Sequence, residues 1–276
     1  MTAVTAAAVP AGVRHEMRAA RVVWQREMMR FLRNRGRLAV TLVQPVFLLL
    51  VLGTGLSVLV PSTAGTGDYR TYLFPGVLTM TVQMPAIGAG ASIVWDREAG
   101  FLREMLVAPV RRGSLLLGKC AGGTTVATCQ GVLVLSLAGT AHVPYDPVLL
   151  ATLTGELALS ALALTALGAV AAVCISRVET FQAVLSFAMT PLLFLSGAMF
   201  PLAGLPRWLT VICLANPLTY AVDPLRRAVA AHAPAAAAPS PDWQLPVAAE
   251  LGVTAALAAT ALAGCAHRVG RPGGGA

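Results

Sequence analysis

The sequence predicts an all-α polytopic membrane protein with six transmembrane helices, an N-terminal interfacial helix, and short re-entrant outer helices between spans five and six. Three observations carry that expectation. Hydrophobic residues make up 57% of the 276-residue chain and charged residues only 12%, with a mean hydropathy of +0.73. A soluble globule of this size would leave much of that apolar surface in water. The few charges are gathered into clusters separated by intervals long enough to cross a bilayer. The basic residues, finally, fall mostly on one side once the chain is threaded through those intervals.

Residues 1–13 are Ala-rich, carry Pro10 and predict a disordered tail. From 14 to 37 the pattern turns amphipathic. Ala20, Trp24, Met28, Phe31 and Leu32 share one helical face, and Arg26, Arg30, Arg33 and Arg37 share the opposite one. Such a helix lies in the membrane interface, with its arginines near anionic lipid headgroups.

The spans follow from the spacing of charge. Thirty charge-free residues separate Arg37 from Asp68, 25 separate Arg70 from Asp96, and 26 separate Lys119 from Asp146. Glu156 alone interrupts the 30 residues between Asp146 and Arg177; 27 residues separate Glu179 from Arg207, and Glu250 alone interrupts the 25 between Asp242 and Arg268. A bilayer core needs about 20 apolar residues per helix. The spans are therefore placed at about 38–60, 73–94, 117–140, 148–173, 182–200 and 244–266, within a transmembrane domain of 38–270 and ahead of a short tail, 271–276. Gln44-Pro45 predicts a kink in the first span, because proline lacks a backbone donor.

Orientation follows from arginine and lysine. With both termini in the cytoplasm, that side holds 16 of the 20 basic residues, leaving Arg70, Arg207, Arg226 and Arg227 outside. The net charge of +8 is thus a topology signal, and no nucleic-acid partner is called for. The first apolar run is of full spanning length, so it reads as a span and not as a secretory signal. Heavy use of Ala, Gly and Val, with a single lysine, points to a GC-rich bacterial genome and so to a bacterial plasma membrane.

Between spans five and six the connection is too long for a turn. Its first part is apolar and punctuated by Pro201, Pro206, Pro217 and Pro224. Asn216-Pro217 and Asp223-Pro224 each read as an N-cap with proline at the first helical position, so two short helices are expected, with Tyr220 between the two caps.

Sites of chemistry are sparse. The five cysteines are odd in number and sit in or beside spans, suggesting neither a disulfide framework nor a metal site. The run Gly113 to Cys120 fits most of a phosphate-binding loop, G-x-x-x-x-G-K. It lacks the following Ser/Thr, has no strand before it, and opens a membrane span, so it is read as coincidence. His15, His142, His232 and His267 are scattered, and no metalloprotease motif occurs. Glu156, about two turns into the fourth span, is the exception. An intramembrane carboxylate is a functional candidate, for a cationic substrate or a proton step. The other reading is a protonated Glu bonded to Gln83 or Gln130 on a neighbouring helix.

The segment after the second span, DREAGFLREMLVAPVRRGSLLLGK from Asp96 to Lys119, is charged and helix-prone between two apolar runs. A chain that merely spans needs only a turn here, whereas one that receives force from a soluble partner needs a short helix, placed at 96–108. Phe101, Leu102, Met105 and Leu106 cluster on one face that can fill an apolar groove, and Glu98, Arg103 and Glu104 can pair at its rim. Lying outside the bilayer, these side chains are expected to add little to packing between spans.

On three motifs the chain resembles the membrane permeases of type 2 ABC exporters, the group of the daunorubicin/doxorubicin-resistance permeases. They are that charged segment, FLSGAMFPLAGLPRW at the end of span five, and NPLTYAVDPLR in the outer loop. The resemblance implies a half-transporter that is not catalytic by itself. It implies two copies, or this chain with a similar permease, each bound to a separate ATP-binding subunit that holds the ATP and magnesium. The coupling residues it implies are Asp96, Arg97, Glu98, Gly100, Phe101, Leu102, Arg103, Glu104 and Pro109. It further implies export of a hydrophobic or amphipathic compound such as a drug, natural product or lipid-like molecule. Export of a polysaccharide or teichoic acid is the alternative within the family. A proton-driven secondary transporter is the alternative outside it, weakened by the lack of an internal repeat.

Overall fold

The computed structural model describes residues 13–55, 69–99, 112–233 and 245–270. These are helical, with no strand among the described residues. In chain order the helices are α1 (Val13–Arg33), α2 (Arg35–Phe47), α3 (Tyr69–Glu98), α4 (Arg112–Leu135), α5 (Pro147–Cys174), α6 (Val178–Phe194), α7 (Arg207–Ala215), α8 (Thr219–His232) and α9 (Val247–Gly270). Four segments are long and apolar enough to cross a membrane: Leu38–Gly55, Tyr69–Glu98, Pro147–Cys174 and Val247–Arg268. α6 is a shorter apolar helix. α4 has the length, 24 residues, but dilutes its apolar residues with Lys119, Gln130 and three threonines. The end of the bundle where α3 finishes and α4 begins carries most of the basic residues and is called the basic end below.

α3 is the central helix. Leu73, Phe74, Val77, Leu78 and Val82 have no exposed surface, and α4, α5, α6 and α8 all pack on it. The expected second span, 73–94, extends by about one turn at each end, and the last turn absorbs Asp96, Arg97 and Glu98. The helix expected from 96 therefore opens as a continuation of α3, with Ala99 N donating to Trp95 O at 2.9 Å. Gly100, Phe101, Leu102, Arg103, Glu104 and Pro109 lie outside the described residues, as do 1–12 and 271–276; Val13, expected in the tail, opens α1.

α3 and α5 cross backbone to backbone. A Cβ on Gly90 would sit 2.3 Å from the Gly168 carbonyl oxygen, and one on Gly168 would sit 2.4 Å from that of Ile87. Small residues permit such an approach, which gains van der Waals contact where lipid offers no hydrophobic drive between helices. α1 docks on α4 in the same way. A Cβ on Gly118 would meet Ala20 O at 2.6 Å, Val23 is buried, and the Trp24 indole donates to Thr125 Oγ1 at 3.1 Å.

Pro45 lies inside α2, which widens to a π turn over Leu48–Leu52 one turn later. One local expectation is corrected. Only one of the two Asx-Pro pairs stands at a helix boundary. Asn216 follows α7, and its Oδ1 accepts from Leu218 N at 3.0 Å just before α8 begins. Asp223-Pro224 lies inside α8. Pro224 is only the sixth residue of that helix, so it removes little of the intrahelical ladder. The first short helix instead begins after Pro206.

Gly168→Ala is expected to destabilise the bundle by about 1–3 kcal/mol, the usual cost of overpacking, read as a lower thermal midpoint of the purified protein in detergent. Gly252→Ala, where an added Cβ has nothing within 4 Å, is the control. It should leave the midpoint unchanged or slightly raised.

Candidate functional site

Three consecutive charged residues close α3, and helical geometry fans them about 100° apart, so each meets a different neighbour. Asp96 reaches two helices: its Oδ2 accepts from Lys119 Nζ on α4 at 2.5 Å and from Arg26 Nη2 on α1 at 3.2 Å. Lys119 also donates to Ser92 O at 2.9 Å. It is buried, and a buried ammonium is tolerable only when paired. The phosphate-loop reading of Gly113–Lys119 has no loop to stand on, because this stretch is helical and its lysine is held by Asp96.

Arg97 meets the end of α5. Its guanidinium donates to Val173 O at 3.5 Å and to Ile175 O, carbonyls that a helix C-terminus leaves without intrahelical donors. Glu98 meets the start of α6, where its Oε1 accepts from Val178 N at 3.0 Å. Each sign matches its target: cation at the negative end of one helix dipole, carboxylate at the positive end of the next. The triplet thus ties α1, α4, α5 and α6 to the end of α3. The expectation that this segment adds little to packing between spans fails for its first three residues. Arg268, near the end of α9, approaches the same region and donates to Cys174 Sγ at 3.3 Å.

Gln83, Gln130 and Glu156, the carboxylate and its two expected bonding partners, lie at one depth. A Cβ on Gly131 would meet Val82 Cγ2 at 2.9 Å and Leu157 Cδ1 at 3.2 Å, so the immediate neighbours of all three share a layer. They are buried but do not form a bonded chain. Gln83 donates to Met189 O at 3.3 Å, whereas Gln130 Oε1 and Glu156 Oε2 are buried without a hydrogen-bond partner.

At the opposite end, Asn216 Nδ2 donates to Leu192 O at 2.7 Å and Tyr220 OH to Leu214 O at 2.8 Å, fastening α7 and α8 to the end of α6. Pro201 and Pro217 occupy the connections. Asp223 forms an ion pair with Arg227, which also contacts Glu250 Oε1 on α9 at 3.0 Å. Arg226 donates to Gly197 O and lies 4.3 Å over the Tyr72 ring.

Several of these partners escaped the sequence reading. Arg226 and Arg227 count in the sequence only as topology markers, Arg26 as a lipid-facing arginine, Lys119 as part of a coincidental motif, and Glu250 as an interruption. Two signals were available: the Asp223/Arg227 spacing of four residues, and the position of Lys119 two turns inside its helix, too deep for a juxtamembrane flank.

The described helices, four of them long and apolar enough to cross a membrane, suit a multi-pass membrane protein. The family model described as "ABC-2 type transporter" matches residues 18–229, α1 through most of α8, and the chain belongs to that family. It is 29% identical over 58% of its length to a transport permease, ycf38, of Cyanophora paradoxa. It is 28% identical over 56% of its length to YbhR of Escherichia coli K12, named a probable multidrug ABC transporter permease. It is 28% identical over 69% of its length to nodulation protein J of Rhizobium leguminosarum bv. trifolii, covering 73% of that protein. The matched part spans 56% of the ycf38 protein and 43% of YbhR.

Asp96→Asn should strand a buried ammonium and destabilise the purified protein by about 3 kcal/mol, the lower end for a broken buried pair. Adding Lys119→Met should recover most of that loss, because the uncompensated charge goes with it. Chemical denaturation of the two variants and the parent measures both effects. A double variant as unstable as Asp96→Asn would show that Lys119 does not carry the penalty.

Proposed function

We propose that this chain is the membrane-spanning permease subunit of an ATP-driven exporter, moving a hydrophobic or amphipathic compound out of a bacterial cell by alternating access. Energy comes from a separate ATP-binding subunit, and a second copy of the chain, or a similar permease, completes the pathway. Six spans cross the plasma membrane: the four long segments, together with α4 and α6. The basic end and both termini face the cytoplasm, and α7 and α8 dip into the outer leaflet.

The observation that carries this reading is the distribution of Asp96, Arg97 and Glu98 over four helices at the mouth of the segment 100–111. A displacement of that segment by a soluble partner would reach α1, α4, α5 and α6 together, which is what a motor-driven permease needs. The preference for a compound over a polymer rests on the relative named as a multidrug permease. The catalytic chemistry, with its ATP and magnesium, would lie on the partner subunit.

Two experiments test the reading. Leu102→Asp would place a charge in the presumed apolar contact with the ATP-binding subunit and weaken the association tenfold or more, equivalent to about 1.4 kcal/mol. Glu98→Lys should be milder. Co-purification of the subunit, measured beside membrane abundance and export, reads the effect; normal retention and export by Leu102→Asp would remove 100–111 from the coupling site. For topology, an impermeant thiol reagent on intact cells should label a single cysteine placed at Ala235 but not one placed at Arg111, in a background without native cysteines. Labelling at Arg111 would reverse the orientation.

A further inference from the structure

At the end of the bundle opposite the basic end, two carboxylates crowd a single nitrogen. Arg227 on α8 directs Nη2 at Asp223 Oδ2 on its own helix and at Glu250 Oε1 on α9, the latter at 3.0 Å, while its Nη1 donates to Leu245 O at 2.6 Å. The Glu250 carboxyl lies within hydrogen-bonding reach of Asp223. Glu250 is only 1% exposed, and its Oε2 is buried without a hydrogen-bond partner. Asp223 Oδ2, also buried, has its ion pair with Arg227 and no hydrogen bond.

The charges at this point do not balance. Two ionised carboxylates against one guanidinium leave a net negative charge in a place nearly closed to water, and carboxylates in contact resist ionising together. The elements packed around the site offer no second cation. On α8, Arg226 is engaged with Gly197 O and the Tyr72 ring, and His232 sits 3.6 Å from Asp146 at the exposed rim. On α5 the only charged residue is Glu156, a further acid. α3 brings Tyr72, a neutral group, toward Arg226 and Asp223. α4 has its two cations, Arg112 and Lys119, toward the basic end, and α9 has His267 and Arg268 in its last turn. A proton is the remedy with the smallest volume. It cancels one charge, and the carboxyl that carries it becomes a donor to the carboxylate beside it.

We propose that Glu250 and Asp223 share one proton, which makes the contact between α8 and α9 a proton-operated clasp. With the proton in place, Glu250 accepts from Arg227 through Oε1 and donates to Asp223 through Oε2, and no acceptor is stranded. When the proton leaves, the two carboxylates repel and the clasp loosens. The sign follows from proton counting: the folded bundle holds a proton that the unfolded chain releases near neutral pH, so stability falls as pH rises until that proton is lost. The proposal goes beyond the permease reading and does not depend on it, since it concerns two helices of one chain and needs no substrate, nucleotide or partner.

Infrared difference spectroscopy of the purified full-length chain in detergent is the test. At neutral pH the parent should show the carbonyl-stretch band of a protonated carboxylic acid, shifted by deuterium and lost on raising the pH. Glu250→Gln should remove the part of that band due to the pair. Asp223→Asn should remove it as well, because the new amide donates where the proton stood and leaves Glu250 free to ionise. Glu156→Gln should leave it in place. Thermal midpoints supply a second readout. The parent should melt a few degrees lower at about pH 9 than at about pH 6, and Glu250→Gln, whose amide imitates the protonated carboxyl, should show a smaller difference. Absence of the band at neutral pH, or its survival in Glu250→Gln, overturns the proposal. Loss in Glu250→Gln with retention in Asp223→Asn also overturns it, since Glu250 would then hold its proton alone. If Asp223→Asn does not fold, the band and midpoints of Glu250→Gln against the parent decide, and an identical pH dependence in the two contradicts the clasp.

Discussion

The carboxylate of Asp96 is the constraint on which the basic end of the bundle depends. One oxygen accepts from Lys119 on α4 and Arg26 on α1, so three elements converge on a single atom. Without it, two cations would stand side by side in a partly buried place, and repulsion would add to desolvation. Arg97 and Glu98 extend the arrangement using helix ends alone: one supplies donors to the carbonyls that close α5, the other accepts from the N–H that opens α6. The short connection between those helices is thereby clamped from both sides by adjacent residues of α3.

The two ends of the molecule are held by different means, with small-residue packing between them. About two turns from the basic end, Gly90 and Gly168 let α3 and α5 touch through their backbones, a contact that resists sliding and admits no side chain. At the far end, aromatic hydroxyls and arginines pin the loop after α6: Tyr69 OH donates to Met199 O at 3.0 Å, and Arg226 reaches Gly197 O.

Much of this architecture was legible in the sequence, because the bilayer forces long charge-poor intervals and arginine clusters onto any chain that crosses it. The approximate places of α3, α5 and α9 follow from those intervals alone. Helix ends were less legible. α3 overran its expected end because Asp96, Arg97 and Glu98 find partners on other helices, and charge at a predicted boundary says nothing about where those partners are. Asp223-Pro224 read as a helix start because a cap and a proline near a first turn look alike in one dimension; Asp223 is instead turned to Arg227. The expected bond from Glu156 to Gln83 or Gln130 does not form: Gln83 turns to Met189 O, and Gln130 Oε1 and Glu156 Oε2 have no partner. The pairing of Arg227 with Glu250 was not legible, since 23 residues and a low-complexity stretch separate them.

The central claim is that the end of α3 locks α1, α4, α5 and α6 into one unit at the basic end. Pulsed electron–electron distance measurement tests it most directly. Spin labels would replace exposed Gln25 on α1 and Glu179 on α6 in a cysteine-free chain assembled with the ATP-binding subunit proposed above. A single lock predicts one narrow distance, unchanged between nucleotide-free and ATP-bound states, and a broadened distribution when Asp96→Asn is added. A distance that shifts with ATP in the parent, or stays narrow in the Asp96→Asn variant, would contradict it.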